Sequence, residues 1–177
     1  GEKPLNDRSV IPYNDALKRV ASTWRKCAQE ARDKGIRMVW EFEPGFAFNK
    51  PSDILRVLDA VNQDNFKIMV DTCHAYNVAV MGARQPGKKE TLEGGIRELA
   101  EKLKGKIGRL HLIDSDGTLN EHGTSSHPPF GEGDLNFDEF MPALVAACDD
   151  EWWTIDLCFW PDAWKATAKC KKAVDKL

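Results

Sequence analysis

The chain has 177 residues, enough for one domain with a substantial core, and its 42% hydrophobic and 30% charged content is ordinary for a globular protein. A net charge of −3 gives no basic footprint, which counts against non-specific nucleic-acid binding. No apolar run approaches the roughly 18 residues needed to span a bilayer, and no signal-peptide pattern opens the chain.

The five cysteines (Cys27, Cys73, Cys148, Cys158, Cys170) are odd in number and never form a C-x-x-C pair. That pattern suits free thiols in a reducing cytoplasm better than a disulfide framework or a structural zinc site. The opening GEKPLNDRSVIPY reads as a loop leading into a helix. Its first residue is glycine, which fits a cut through a longer protein better than a natural N-terminus.

Asn14 is placed to cap a helix on which Leu17, Val20, Ala21, Trp24, Ala28 and Ala31 recur at helical spacing until Gly35 stops it. Ile36 to Phe42 is an apolar run suited to a strand buried on both faces. Ser52 can cap a second helix through Val61, and Phe66 to Val70 is the second strand. Thr91 opens a third helix that ends at Gly105, and Ile107 to Ile113 is the third strand. A polar loop from Ser115 to Asp134 precedes a helix over Phe137 to Cys148. Trp152 to Phe159 is the fourth strand, and Ala163 to Leu177 a last amphipathic helix. A helix followed by four βα units implies an α/β fold with a parallel sheet and right-handed crossovers. Four units equal half of a (β/α)8 TIM barrel, and no linker divides the chain, so one domain over residues 1–177 is expected.

Each strand-like run ends in groups that can bind a metal: Glu41 and Glu43, Asp71 and His74, His111 and Asp114, then Asp156. In a parallel α/β array these groups collect at the C-terminal face, where active sites lie. Glu41 and Glu43 share a strand face. Glu41 reads equally well as a site residue or as half of a salt bridge inside the barrel. Glu43, at the turn into Pro44-Gly45, reads as a ligand. Asp71 ends a strand, and His74 lies three residues on, where the next turn can bring it back to the same place. His111 faces the same way as Arg109 and Ile113. Asp114 and Asp116 enter the loop as substrate contacts or turn caps, and His122 reads as solvated. Asp156 is a carboxylate inside the apolar run WWTIDLCFW, where a metal is the obvious reason for a charge. Trp160, just past it, is the candidate for packing on a sugar face. In HPPFGEGDLNF, His127 precedes two prolines, and Gly131 and Gly133 allow tight turns beside a ligand, in a loop long enough to suggest function. The set Glu43, Asp71, His111 and Asp156 gives three carboxylates and one imidazole. That suits Mn²⁺ or Mg²⁺, with Zn²⁺ or Co²⁺ as alternatives.

The ordered series of strand-end Glu-Pro, Asp-x-x-His, a strand histidine, H-x-x-x-G-x-G in the loop and a final acid resembles the xylose isomerase-like TIM-barrel superfamily. Within it, the likeness is to the sugar phosphate isomerase/epimerase group, and it covers that family's C-terminal half, from the helix before the fifth strand onward. The resemblance implies a divalent-metal-dependent isomerase or epimerase of a small sugar or polyol ketone, working by proton abstraction. By position the ligands fall on Glu43, Asp71, His111 and Asp156 and the substrate-contacting histidine on His74, while His127 matches a loop histidine of some branches; Arg109 and Trp160 are further candidates for substrate contact. Glu43 is the first choice for the general base, Asp156 the second, and His74 would orient the substrate oxygen. An inosose-type dehydratase on the same site, or an inactive barrel fragment, is the alternative. The resemblance departs at Asp156, where glutamate is usual, and at Ser125, where endonuclease IV-like sequences carry aspartate. The second departure and the acidic net charge argue against a nuclease. With only four strands to read, the chain is expected to pair with another copy or with an absent N-terminal half-barrel.

Overall fold

The computed structural model describes residues 11–158 and 160–177, so the expected loop over residues 1–10, and Phe159, lie outside the described residues. Four strands, β1 (Met38–Glu41), β2 (Phe66–Asp71), β3 (Ile107–Leu112) and β4 (Trp153–Ile155), form one sheet in chain order with every pair parallel. Six helices connect and cover them: α1 (Tyr13–Arg32), α2 (Pro51–Val61), α3 (Thr72–Ala79), α4 (Gly95–Lys102), α5 (Phe137–Ala147) and α6 (Ala163–Val174). The alternation and the chain-ordered parallel sheet are those of a TIM-barrel-type α/β fold, here with four strands.

Alternation along each strand divides the sheet. One face carries Trp40, Ile68, Val70, Leu110, Leu112, Trp153 and Ile155, which pair across neighbouring strands and pack beneath the helices. The Trp24 ring of α1 lies 5.3 Å from that of Trp40 and 5.4 Å from that of Phe66, fixing the helix on this side. The amphipathic pattern of α2 buries Ile54, Val57, Leu58 and Val61 in the same core.

The opposite face is the one a closed barrel turns inward. Its lower end is charged, with Lys67 paired to Asp149 at 3.1 Å and Arg109 to Asp150 at 2.9 Å. Its upper end, where the strands stop, carries the acids and imidazoles described below.

Several element boundaries differ from the sequence reading, for identifiable reasons. The strand expected to reach Phe42 stops at Glu41. The helix expected to be capped by Asn14 has its cap two residues earlier, at Pro12, with no side-chain cap bond. The helix expected from Thr91 begins at Gly95. α3 was not expected: its residues are nearly all buried, so the amphipathic signal that reveals surface helices is missing. Among the described residues no helix is long and apolar enough to cross a membrane. All five cysteines are free.

Candidate metal centre at the strand ends

Strand register brings four groups together. Glu41 pairs with Met69, so it stands on the same face as Asp71, two residues further along β2. Asp71 pairs with His111, and His111 with Thr154, two residues before Asp156. Ligand atoms of Glu41, Asp71, His111 and Asp156 all lie within 4.8 Å of one another. His111 Nδ1 is 3.1 Å from Glu41 Oε1 and 3.4 Å from Asp156 Oδ2.

The fourth place in this group, given to Glu43 in the sequence reading, is taken by Glu41. β1 ends at Glu41, so Glu41 is the true strand-end carboxylate and Glu43 already belongs to the following loop. Glu43 falls instead in a neighbouring group with Glu41 and His74. Its Oε2 accepts a 2.6 Å hydrogen bond from Thr124 Oγ1 and sits 4.0 Å from His74 Nε2.

Asp71 is fully buried and caps α3, its Oδ1 accepting from the His74 backbone N–H at 2.9 Å. That cap turns the chain so that the His74 ring returns to the site. His74 Nδ1 lies 2.8 Å from Ser125 Oγ, which also accepts from Asn77 Nδ2 at 3.1 Å. His127 stands between two members of the cluster, with Nε2 3.9 Å from Asp71 Oδ1 and Nδ1 3.8 Å from Asp156 Oδ1, both beyond hydrogen-bond reach. Its ring centroid is 5.0 Å from that of His74.

The electrostatics follow from this crowding. Burial pushes the Asp71 carboxyl up to about 7, against the opposing His127 charge and the His74 N–H. Burial and the nearby His127 hold the His74 imidazole down, at about 3. Burial also disfavours charge on His111, but the carboxylates of Asp156 and Glu41 closing on Nδ1 outweigh it and raise that imidazole to about 10. Burial raises Asp156 less than His111 and His127 lower it, so its carboxyl is held well below the usual range.

A divalent cation fits this arrangement. Glu41 Oε1, Asp71 Oδ2 and His111 Nδ1 are buried and have no hydrogen-bond partner, although they converge. Buried polar atoms left without a hydrogen bond are costly, and a cation at their centre would satisfy all three. Three carboxylates and one imidazole are a ligand set for a hard or borderline divalent ion.

The remaining candidates have other partners in the structure. Arg109, expected to touch substrate, stands one alternation below His111 and is tied to Asp150 at the far end of the sheet. Trp160 packs against the hydrophobic core as a partly buried side chain. Asp116 caps a turn, accepting from Thr118 N at 2.9 Å. Asp114 is 2% exposed and binds the backbone of the long loop. Thr124 and Asn77 were not singled out by the sequence; neither carries a spacing signal, and only the folded loop brings them in.

A family model described as xylose isomerase-like TIM barrel matches residues 4–173. No curated protein matches the sequence. Among solved structures, an IOLI protein with a binding zinc atom is 21% identical, with a TM-score of 0.69 over 94% of this chain and 58% of that one. A D-psicose 3-epimerase in the presence of D-fructose is 17% identical, with a TM-score of 0.67 over 97% of this chain and 58% of that one. The probable 3-DHS dehydratase AsbF from Bacillus anthracis is 18% identical, with a TM-score of 0.69 over 99% of this chain and 61% of that one. At such identities the likeness is one of fold, and the chain spans less than two thirds of each of these structures.

Proposed function

The chain belongs to the xylose isomerase-like TIM-barrel family, and from that premise we propose that it carries the metal-binding half of an isomerase or epimerase site for a small sugar or polyol ketone. The observation that supports this most is the convergence of Glu41, Asp71, His111 and Asp156 at the strand ends, with buried ligand atoms lacking other partners. These four would hold a divalent ion, with Mn²⁺ or Mg²⁺ expected from the oxygen-rich set and Zn²⁺ or Co²⁺ as alternatives. When bound, the ion would supply Lewis-acid polarisation of neighbouring carbonyl and hydroxyl oxygens.

The chain's own residues divide the remaining work. Glu43 is the proposed base, removing a proton from the carbon beside the carbonyl; Thr124 fixes one of its oxygens and leaves the other for the reaction. Asp156, placed among the metal ligands in this reading, is the second candidate for that role. His74 stays neutral at working pH. With Ser125 Oγ, which accepts from Asn77, donating its own proton to His74 Nδ1, the imidazole proton would sit on Nε2, facing Glu43 and any substrate oxygen between them. His127, between Asp71 and Asp156, would line the substrate's approach. Among the described residues the sheet ends at β1 on one side and β4 on the other. The proposal includes four further strands, from a second copy or an N-terminal half, to complete the working barrel.

The test is exchange of substrate protons in D₂O by the metal-loaded protein with small ketoses and inososes. The reading predicts deuterium entering at the carbon beside the carbonyl, and its loss in Glu43→Gln. Product mass then separates isomerisation, which keeps the formula, from the dehydratase alternative, which loses one water. Tight metal binding with no exchange on any ketone tested, by the chain alone or by its completed assembly, would overturn the enzymatic reading.

A further inference from the structure

The G-x-G in the loop after β3 has a structural partner that the proposed chemistry does not use. Asp114 follows that strand by two residues and is 2% exposed, yet no cation pairs with it among the described residues. Its charge is met by backbone alone. Oδ1 accepts from Ser115 N at 2.8 Å and Leu135 N at 3.1 Å; Oδ2 accepts from Gly131 N at 2.8 Å and Gly133 N at 3.2 Å. Four charge-assisted bonds meet on one carboxylate, and three of them, from Gly131, Gly133 and Leu135, pin the far end of the 115–134 loop to the top of β3.

The loop's middle delivers Thr124 to Glu43, Ser125 to His74, and His127 to the space between Asp71 and Asp156. None of these residues lies on a strand or helix. Their placement depends on where the loop is anchored, and one of its anchors is Asp114. The glycine requirement follows from the same contact. A Cβ on Gly133 would stand 2.5 Å from Asp114 Oδ1 and 2.6 Å from the Ser115 carbonyl oxygen, which is closer than any real contact. Gly131 is needed for a different reason: its φ is +82°, with open space where a Cβ would go.

We propose that Asp114 is a positioning residue of the strand-end site, setting the loop so that Ser125 and His127 meet the metal-binding half of the barrel. This rests on reading that cluster as the active site. The inference separates two levels of the site. Glu41, Asp71, His111 and Asp156 are carried by strands or strand ends, and should keep their places when the loop is released, whereas the imidazole environments of His74 and His127 should not.

The experiment compares Asp114→Asn and Gly133→Ala with the unmodified protein. Asparagine turns an NH₂ towards backbone donors. Alanine attacks the same contact from the other side, at a position whose backbone is not in the left-handed region. Amide exchange at Gly131, Gly133 and Leu135 should rise by roughly tenfold or more, as expected for a lost net hydrogen bond. The imidazole NMR resonances of His74 and His127 should move, while Zn²⁺ stoichiometry stays that of the unmodified protein. A purely stabilising role would lower the melting temperature and leave those resonances where they are. Unchanged resonances and exchange in both variants would overturn the proposal, as would failure of both to fold, which would make Asp114 a determinant of the fold itself. If the unmodified protein binds no Zn²⁺, the metal reading falls, while exchange and resonances still decide the role of Asp114.

Discussion

His111 Nδ1 stands 3.1 Å from Glu41 Oε1, yet neither atom has a hydrogen-bond partner. Close approach without bonding geometry is what a shared cation would resolve, because each atom would then turn to a common centre. It is also the observation that favours Glu41, at the end of its strand, over Glu43 in the proposed metal group.

The charge state of the metal-free site predicts a pH dependence. The His111 imidazole titrates at about 10 in the folded chain against an ordinary value of 6.5. Between pH 7 and 10 the native state therefore holds a proton that the unfolded chain has released, and stability falls as pH rises. Below pH 7 two groups oppose each other: His74, held at about 3, favours higher pH, while Asp71, raised to about 7, favours lower pH. The alkaline window is the one in which the shifts agree in sign, since burial also raises the Cys73, Cys148 and Cys158 thiols and the neighbouring carboxylates, outweighing burial, raise His127. Chelator-treated protein should melt at a lower temperature at pH 9 than at pH 7. Loading with a divalent ion should release protons, detected as binding heats that change with the buffer's ionisation enthalpy. Heats independent of buffer, or a metal-free melting temperature that rises over that interval, would contradict the assignment.

Thr72 is expected to matter for stability rather than chemistry. It is fully buried at the start of α3, where its hydroxyl donates to Ile113 O at 2.5 Å and accepts from Ile113 N at 2.9 Å. Thr72→Val keeps the shape and strands both backbone groups, at a cost of about 1–3 kcal/mol. Denaturant unfolding measures it, and a change below a few tenths would show that the two bonds contribute nothing net.

Arg109 provides the converse case. Its guanidinium is committed to Asp150, with side chains 38% and 15% exposed. Arg109→Met should leave divalent-ion affinity unchanged and cost about 1 kcal/mol or less, as partly exposed pairs do. Loss of metal affinity in that variant would return Arg109 to the site.

The sequence shows the strands more clearly than the helices, and the type of ligand more clearly than its position. Apolar runs such as FKIMVD and IGRLHL announce buried parallel strands, and their terminal acids and imidazoles announce the rim. Face is legible from alternation, but height along the strand is not, which is why Arg109 looked like a neighbour of His111. The choice between Glu41 and Glu43 turned on where β1 stops, a two-residue question that local pattern does not resolve. Helix α3 was hidden because burial on all sides erases its periodicity. The Asp114 anchor was hidden for another reason: its partners are backbone amides, which have no side-chain signature, from residues 17, 19 and 21 positions downstream.

The central claim is that Glu41, with Asp71, His111 and Asp156, forms the metal site, and that Glu43 stands beside it. The most direct measurement is the divalent-ion stoichiometry and affinity of the purified protein and of Glu41→Gln, Glu43→Gln and His111→Ala, using Mn²⁺ and Zn²⁺. The account predicts one tightly held ion in the unmodified protein and in Glu43→Gln, and a loss of at least about tenfold in affinity, the range seen when metal-site partners are removed, in Glu41→Gln and His111→Ala. Retention of the ion in Glu41→Gln with its loss in Glu43→Gln would contradict it.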